Sequence, residues 1–207
     1  MIEKGIDLLL SLTRRAETSS LMMSRMHCHA RTLSSIVLRS HAGRLQRAFL
    51  AWPGHRLHTN RLDDDMEVGI HDHRYGIWLS LIHGDVQNVC YERCNESSVP
   101  LMEWRFRTGV ASGSPTKELI ETKGGGLAMG ARQPLVKGSW IGLDADTLHD
   151  VEVRGVAAWL VQEGETVKDT TSLFTKREFS TEGLYQPFRS RHDVIDHVLN
   201  WATEARR

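Results

Sequence analysis

The chain has 207 residues, of which 40% are hydrophobic and 25% charged, so it is typical of a globular protein and unlike a collagen-like, disordered or coiled-coil chain. Its 26 Lys and Arg residues balance 26 Asp and Glu residues, and this zero net charge argues against nucleic acid or a membrane surface as a partner. Histidine, the commonest metal-ligating residue type, occurs eleven times. The first question is therefore whether some of these histidines meet at one site.

The cysteines and the hydrophobic pattern indicate the compartment. Cys28, Cys90 and Cys94 are an odd number and lack the spacing of a zinc finger or of a disulfide framework. The chain contains no run of about 18 apolar residues, so no transmembrane helix is predicted. The acidic residues before the short Leu8–Leu10 run make a poor signal peptide. We expect reduced thiols and a cytoplasmic protein.

The N-terminal quarter of the chain has a helical pattern. Apolar side chains recur at three- and four-residue spacing as far as residue 50, beginning with Ile2 and Ile6. Ser19-Ser20 is interpreted as a break or cap between two helices. Because Trp52-Pro53-Gly54 ends the pattern, we predict a helical N-terminal extension over residues 1–54 that packs on the following barrel.

From Arg56 onward the pattern changes to short β-branched and aromatic segments separated by turn residues. Their close spacing favours an all-β sandwich or barrel over residues 55–165. The candidate strands are 56–62, 69–73, 76–82, 86–93, 101–107, 118–122, 126–130, 139–143, 149–154 and 156–163. Residues 166–207 are predicted to be an irregular segment followed by a C-terminal helix, whose apolar face includes Val194, Val198 and Trp201.

Two short glycine-containing segments are interpreted as turns. Gly124-Gly125-Gly126 is predicted to be a hairpin turn rather than a phosphate-binding loop, because no helical pattern follows it. His83 precedes Gly84 at a predicted strand end, so it is interpreted as a turn residue rather than a ligand.

The most informative segment contains His71 and His73, which are two residues apart. On a strand, such residues project to the same face, so both imidazoles would enter one space. His149, at the start of an alternating strand, is the best candidate for a third ligand. Three imidazoles on one face of a barrel suit a first-row transition metal and leave coordination positions open.

These two segments resemble the two motifs of the cupin superfamily. Ile70-His71-Asp72-His73 and Leu148-His149-Asp150-Val151-Glu152 are most similar to the ligand segments of the cysteine dioxygenase (thiol dioxygenase) branch. The resemblance implies a cupin double-stranded β-helix (jelly-roll) barrel with an N-terminal helical extension and a C-terminal helix. Many cupins place a Glu ligand four or five residues after the second His, where this chain has Ile77 and Trp78. A three-histidine site is therefore favoured.

The same resemblance implies Fe(II) as the cofactor, with Ni, Mn or Zn as alternatives, and O2 and a small-molecule substrate as partners. The implied reaction inserts both oxygen atoms into a thiol or another electron-rich small molecule. Pairing of barrels, as in other cupins, would give a homodimer.

Two features of the thiol dioxygenases are not carried over. Trp78 stands where some members have a cysteine cross-linked to a tyrosine, so no such cross-link is expected. The carboxylate-binding arginine of that family lies upstream of the first motif, in the region of Arg44 and Arg47. Because this region is predicted to be helical, the role is not assigned, and free cysteine is not inferred as the substrate.

Tyr75 and His58 are the candidate catalytic residues. Tyr75 shares the predicted face of the His pair, so its hydroxyl could orient a substrate or an oxygen species; the alternative is an aromatic residue of the barrel core. His58 and Asn60 alternate on the preceding predicted strand, and one face of that strand points inward.

Three functions stay open on the sequence. The first is a mononuclear non-haem Fe(II) dioxygenase. The second is a metal-dependent isomerase, lyase or hydrolase on the same scaffold, and the third is a non-catalytic ligand-binding or regulatory cupin. For the histidines themselves, the alternative to a metal site is a set of hydrogen-bonded side chains in a polar barrel mouth.

Overall fold

A computed structural model describes residues 2–15, 22–24, 33–41, 44–51, 70–95, 101–111, 114–175, 185–187 and 191–207. The described residues form two helices, α1 (Ile2–Arg15) and α2 (Arg191–Ala205), and twelve strands. The strands are β1 (Met22–Ser24), β2 (Leu33–His41), β3 (Arg44–Ala51), β4 (Ile70–His71), β5 (Tyr75–Arg93), β6 (Leu101–Ala111), β7 (Ser114–Gly125), β8 (Leu127–Pro134), β9 (Ile141–Leu143), β10 (Leu148–Thr166), β11 (Thr170–Thr175) and β12 (Tyr185–Pro187). Neither helix is long and apolar enough to cross a membrane.

The named strands pair antiparallel in the order β12-β1-β2-β3-β10-β4-β11-β6-β7, and β5 joins β10, β8 and β9. The two longest strands, β5 and β10, pair over most of their length at the centre of the structure. This antiparallel β architecture, with a helix on either side of it in the sequence, confirms the predicted all-β class.

β5 and β10 each replace two predicted strands. They stay continuous across a register irregularity between Arg154 and Ala158, where Gly84 and Gly155 have positive φ angles of 86° and 69°. A Cβ on Gly84 would collide with the Val156 carbonyl oxygen, so the close approach of the two strands requires glycine. The predicted turn at His83 is therefore wrong: His83 lies buried within β5.

The helical prediction is confirmed for residues 2–15 but is wrong for residues 33–41 and 44–51, which form β2 and β3. The reason is that both faces of β3 are buried. Ala48 and Leu50 pack toward the helices, whereas Phe49 and Ala51 pack inside the barrel. A strand buried on both faces is a continuous apolar run without alternation, which periodicity does not distinguish from a buried helix.

The described residues form three hydrophobic clusters: a helix-side cluster, a barrel-side cluster and a smaller one that contains Leu101, Leu148 and Phe174. The helix-side cluster joins α1 and α2 to β2, β3 and β10, and includes Ile6, Leu9, Val198 and Trp201. The barrel-side cluster contains the stacked rings of Phe49 and Trp159, whose centroids are 5.3 Å apart, together with inward side chains of β5. Alternate residues of β3, β5 and β10 therefore enter the barrel.

The glycine run at 124–126 connects two strands that do not pair with each other. β7 pairs with β6, and β8 pairs with β5. The predicted hairpin turn is therefore wrong, because the chain crosses here from one part of the sheet to another. The C-terminal helix predicted from Val194, Val198 and Trp201 is confirmed as α2, and these three side chains are fully buried.

Candidate metal centre

Three separate pieces of backbone position the histidines. His71 ends the two-residue strand β4 and pairs directly with His149 of β10. His73 lies beyond β4, in the connection to β5, so the expectation that strand alternation places both histidines of the motif is wrong. Its backbone N–H instead donates to the Ala145 carbonyl at 3.1 Å, which ties it to the turn before His149.

The structure nevertheless brings the three imidazoles together. One ring nitrogen from each of His71, His73 and His149 lies within 4.8 Å of the others. The Nε2 atoms of His73 and His149 are 2.9 Å apart. With metal–nitrogen bonds of 2.0–2.1 Å, two ligands at about a right angle would be separated by about 2.9 Å, so this pair fits a single ion.

His149, the candidate for the third ligand, is the most deeply buried of the three histidines. His149 is 2% exposed, whereas His71 and His73 are partly buried. The His149 Nδ1 atom is 2.7 Å from the Oδ1 atom of Asn88, a fully buried residue of β5. Asn88 Nδ2 in turn donates to the Cys90 sulfur at 3.3 Å. This buried chain of contacts fixes the edge of the ring that points away from the other histidines.

A second polar network holds the connection that carries His73. The buried Asp72 carboxylate accepts hydrogen bonds from the Ser172 N–H at 2.7 Å and from Lys168 Nζ at 2.9 Å. Lys168 also contacts Asp146 at 2.6 Å, in the turn before His149. One lysine therefore links the two ligand-bearing segments through opposite charges.

Tyr75 lies beside this histidine group. Its ring is roughly parallel to that of His73, with the centroids 5.7 Å apart. The Glu163 carboxylate, which accepts a hydrogen bond from Arg47 Nε at 3.0 Å, lies close enough to interact electrostatically with Tyr75. Burial raises the pKa of Tyr75 well above its ordinary value, and the Glu163 carboxylate raises it further. The hydroxyl is therefore held protonated.

Arg47 and Asn88 are the residues that the sequence pattern missed. The sequence assigns Arg47 no role because its segment is predicted to be helical. In the structure, Arg47 lies on β3 and its guanidinium forms an ion pair with Glu163. Asn88 has no local signal, since its contact with His149 depends on how β5 and β10 align.

The remaining candidates lie elsewhere. His58 and Asn60 are outside the described residues, so His58 stays a prediction. His83 packs edge-on against the Trp201 ring of α2, with centroids 5.7 Å apart, in the helix-side region. Ile77, at one expected carboxylate position, is buried in the barrel-side cluster, and Trp78, at the other, is 44% exposed.

Comparisons with known proteins add little to this site. No protein-family model and no curated protein matches the chain. Among solved structures, the chain is similar to the hydroquinone 1,2-dioxygenase PnpCD, crystallised with Cd²⁺ and 4-hydroxybenzonitrile, at 13% identity and a TM-score of 0.33. The match covers 62% of this chain and 62% of that chain, which is less than two thirds of its length.

Proposed function

We propose that this protein is a mononuclear metal enzyme of the three-histidine cupin type, which uses Fe(II) and O2 to oxidise a small electron-rich molecule such as a thiol. The observation that carries the proposal is the convergence of His71, His73 and His149, with one nitrogen of each within 4.8 Å of the others.

The composition of the donor set supports a transition metal. Imidazole nitrogens suit iron, copper, nickel and zinc, whereas calcium and magnesium prefer oxygen ligands. Within the described residues, the group contains three histidines and no carboxylate. We propose Fe(II) because the two ligand segments resemble those of the thiol dioxygenases. Ni, Mn and Zn are the alternatives. When bound, Fe(II) supplies adjacent positions at which a substrate and O2 meet.

The protein's own side chains would hold and shield this centre. His71, His73 and His149 would bind the ion through their ring nitrogens. Tyr75, whose ring lies beside that of His73, would orient the substrate from one side. The apolar barrel interior next to it would limit the access of water. His58 is proposed as a second orienting residue from the segment that precedes the motif.

Metal analysis tests the first half of the proposal. Protein purified without added metal should carry about one transition-metal ion per chain. A His73→Ala variant should lose the ion, whereas His192→Ala, which changes an exposed histidine of α2, should retain it. Folded wild-type protein that neither carries nor takes up a metal would favour a hydrogen-bonded histidine cluster instead.

Oxygen uptake tests the second half. The Fe(II)-loaded protein should consume O2 with at least one member of a panel of small thiols and other electron-rich molecules. The His73→Ala variant should show no substrate-dependent uptake. Metal-loaded protein that consumes no O2 with any of them would favour the metal-dependent isomerase, lyase or hydrolase.

A further inference from the structure

We propose that Asn88 is a positioning residue for the metal centre: it holds His149 in the tautomer that carries its proton on Nδ1, and so directs the Nε2 lone pair at His71 and His73. The inference rests on the proposed metal site and adds a residue outside the ligand set. It means that the fold orients the His149 ring for metal binding before any ion is bound.

The hydrogen-bond chemistry of Asn88 determines which ring nitrogen is protonated. Its Oδ1 atom lies 2.7 Å from His149 Nδ1. An amide oxygen can only accept a hydrogen bond, so Nδ1 must donate. In a neutral imidazole the other nitrogen then carries the lone pair. That nitrogen, Nε2, is the atom of His149 that lies 2.9 Å from His73 Nε2.

The amide of Asn88 has a partner at each end. Its Nδ2 atom donates to the Cys90 sulfur at 3.3 Å. If the amide were reversed, its NH2 group would face His149 Nδ1, and the ring proton would move to Nε2, where it would block the lone pair. In the observed orientation the Cys90 sulfur accepts from Nδ2 and the His149 ring donates to Oδ1, so both ends of the amide are used and His149 is ready to bind.

The positions of both residues follow from the pairing of β5 and β10. Cys90 is directly opposite His149, and Asn88 is opposite Val151, two residues further along. Asn88 is completely buried and His149 is 2% exposed, so water does not compete for this contact. Partners of this kind orient a ligating histidine and raise its basicity, and losing one typically weakens metal binding by 10–100-fold.

The tautomer can be read in the metal-free protein by ¹⁵N NMR of the histidine side chains, with a His149→Gln variant to assign the signal. Wild-type protein should show His149 protonated on Nδ1. Asn88→Leu removes the acceptor and should shift the ring toward the Nε2-protonated form, whereas Asn88→Asp keeps an oxygen acceptor and should preserve the wild-type signal. An unchanged tautomer in Asn88→Leu would overturn the inference.

Titration with Co(II), followed by its visible absorption, measures the consequence. Asn88→Leu should raise the Kd by about 10–100-fold, and Asn88→Asp should recover most of the loss. Thr13→Val is the matched control, because Thr13 is a buried polar residue of α1 that donates to the Leu9 carbonyl far from the site along the chain. It should lower stability and leave Co(II) binding unchanged. Should Asn88→Leu not fold, Asn88→Ala takes its place.

The outcomes separate the two proposals. Wild-type protein that binds no Co(II) would refute the metal centre, whatever the state of His149. Tight wild-type binding with an equal Kd in folded Asn88→Leu would leave the metal centre standing and refute the role of Asn88 alone. Loss of affinity in Asn88→Leu with recovery in Asn88→Asp supports both.

Discussion

The long strands β5 and β10 separate two regions that contain buried histidines in contrasting surroundings. On the barrel side, His149 lies against His71 and His73 and has an asparagine partner on its far edge. On the helix side, His83 contacts the Trp201 ring, and within the described structure its Nδ1 atom has no hydrogen-bond partner. His83 is buried, as is His149, whereas His71 and His73 are only partly buried, so burial does not distinguish the candidate metal ligands. The difference is the presence of convergent nitrogens and an orienting acceptor.

The largest expected effect comes from removing a barrel-side histidine. His149→Ala should weaken Co(II) binding by more than about 100-fold, since losing a ligand exceeds the effect of losing its orienting partner. Calorimetric titration of both proteins measures the change. His83→Leu, the helix-side counterpart, should bind Co(II) as wild type does. Equal loss in the two variants would show that the contrast between the regions is wrong.

The ion pair next to Tyr75 should be the next most sensitive feature. Glu163 is 6% exposed and Arg47 is 23% exposed, so Arg47→Met would leave a buried carboxylate without its cation. We expect a loss of about 3 kcal/mol in the free energy of unfolding, measured by urea denaturation. The double variant Arg47→Met/Glu163→Gln should recover part of that loss, because it removes the buried charge. A single-variant loss below about 0.5 kcal/mol would contradict a structural role for the pair.

Replacing the helix-side histidine should raise the stability of the protein, whereas Arg47→Met should lower it. Because His83 Nδ1 is buried without a hydrogen bond in the described structure, His83→Leu should raise the free energy of unfolding by about 1 kcal/mol. Denaturant unfolding of metal-free protein measures this. A clear loss of stability would indicate that His83 has a polar partner, and that the two regions are more alike than their contacts suggest.

The last expected effect concerns the dependence of stability on pH. Burial lowers the pKa of His83, and it lowers the pKa of His197 on α2 to about 4. The folded protein therefore keeps these rings neutral, whereas the unfolded chain binds protons below its ordinary histidine pKa of about 6.5. Stability should fall as the pH drops from about 6.5 toward 4.

A His197→Gln variant isolates this contribution. Thermal unfolding at pH 7 and pH 5 should show a smaller decrease in Tm for the variant than for the wild type. His192→Gln, at an exposed position of the same helix, is the control and should follow the wild type. An identical decrease in all three proteins would assign the pH dependence to other groups.

Several features could be predicted because they depend on neighbouring residues. The His-x-His segment, the later His149 and the apolar face of α2 are all visible in short stretches of sequence. The alternation after residue 70 predicted the strands of the barrel, although β5 and β10 proved to be continuous through their glycines. Local patterns thus identified the elements but not how far each one extends.

Other features were mispredicted or missed because they depend on contacts between distant segments. Residues 33–41 and 44–51 were assigned to helices, since burial on both faces of β3 removes the alternation that marks a strand. Arg47 therefore lies on a strand beside β10 rather than on a helix. There its positive charge is paired with Glu163. The secondary structure therefore no longer argues against a carboxylate-binding role for Arg47. Its guanidinium, however, is already paired with the Glu163 carboxylate.

The sequence alone determined the chemistry that is available: three histidines in two short segments, no carboxylate at the expected ligand positions, and an all-β scaffold. The tertiary structure decided which atoms meet. His73 is placed by a hydrogen bond to Ala145, and the ring of His149 is oriented by Asn88. These contacts join residues that are 72 and 61 positions apart, and the second also depends on the register of two paired strands, so no local pattern encodes them.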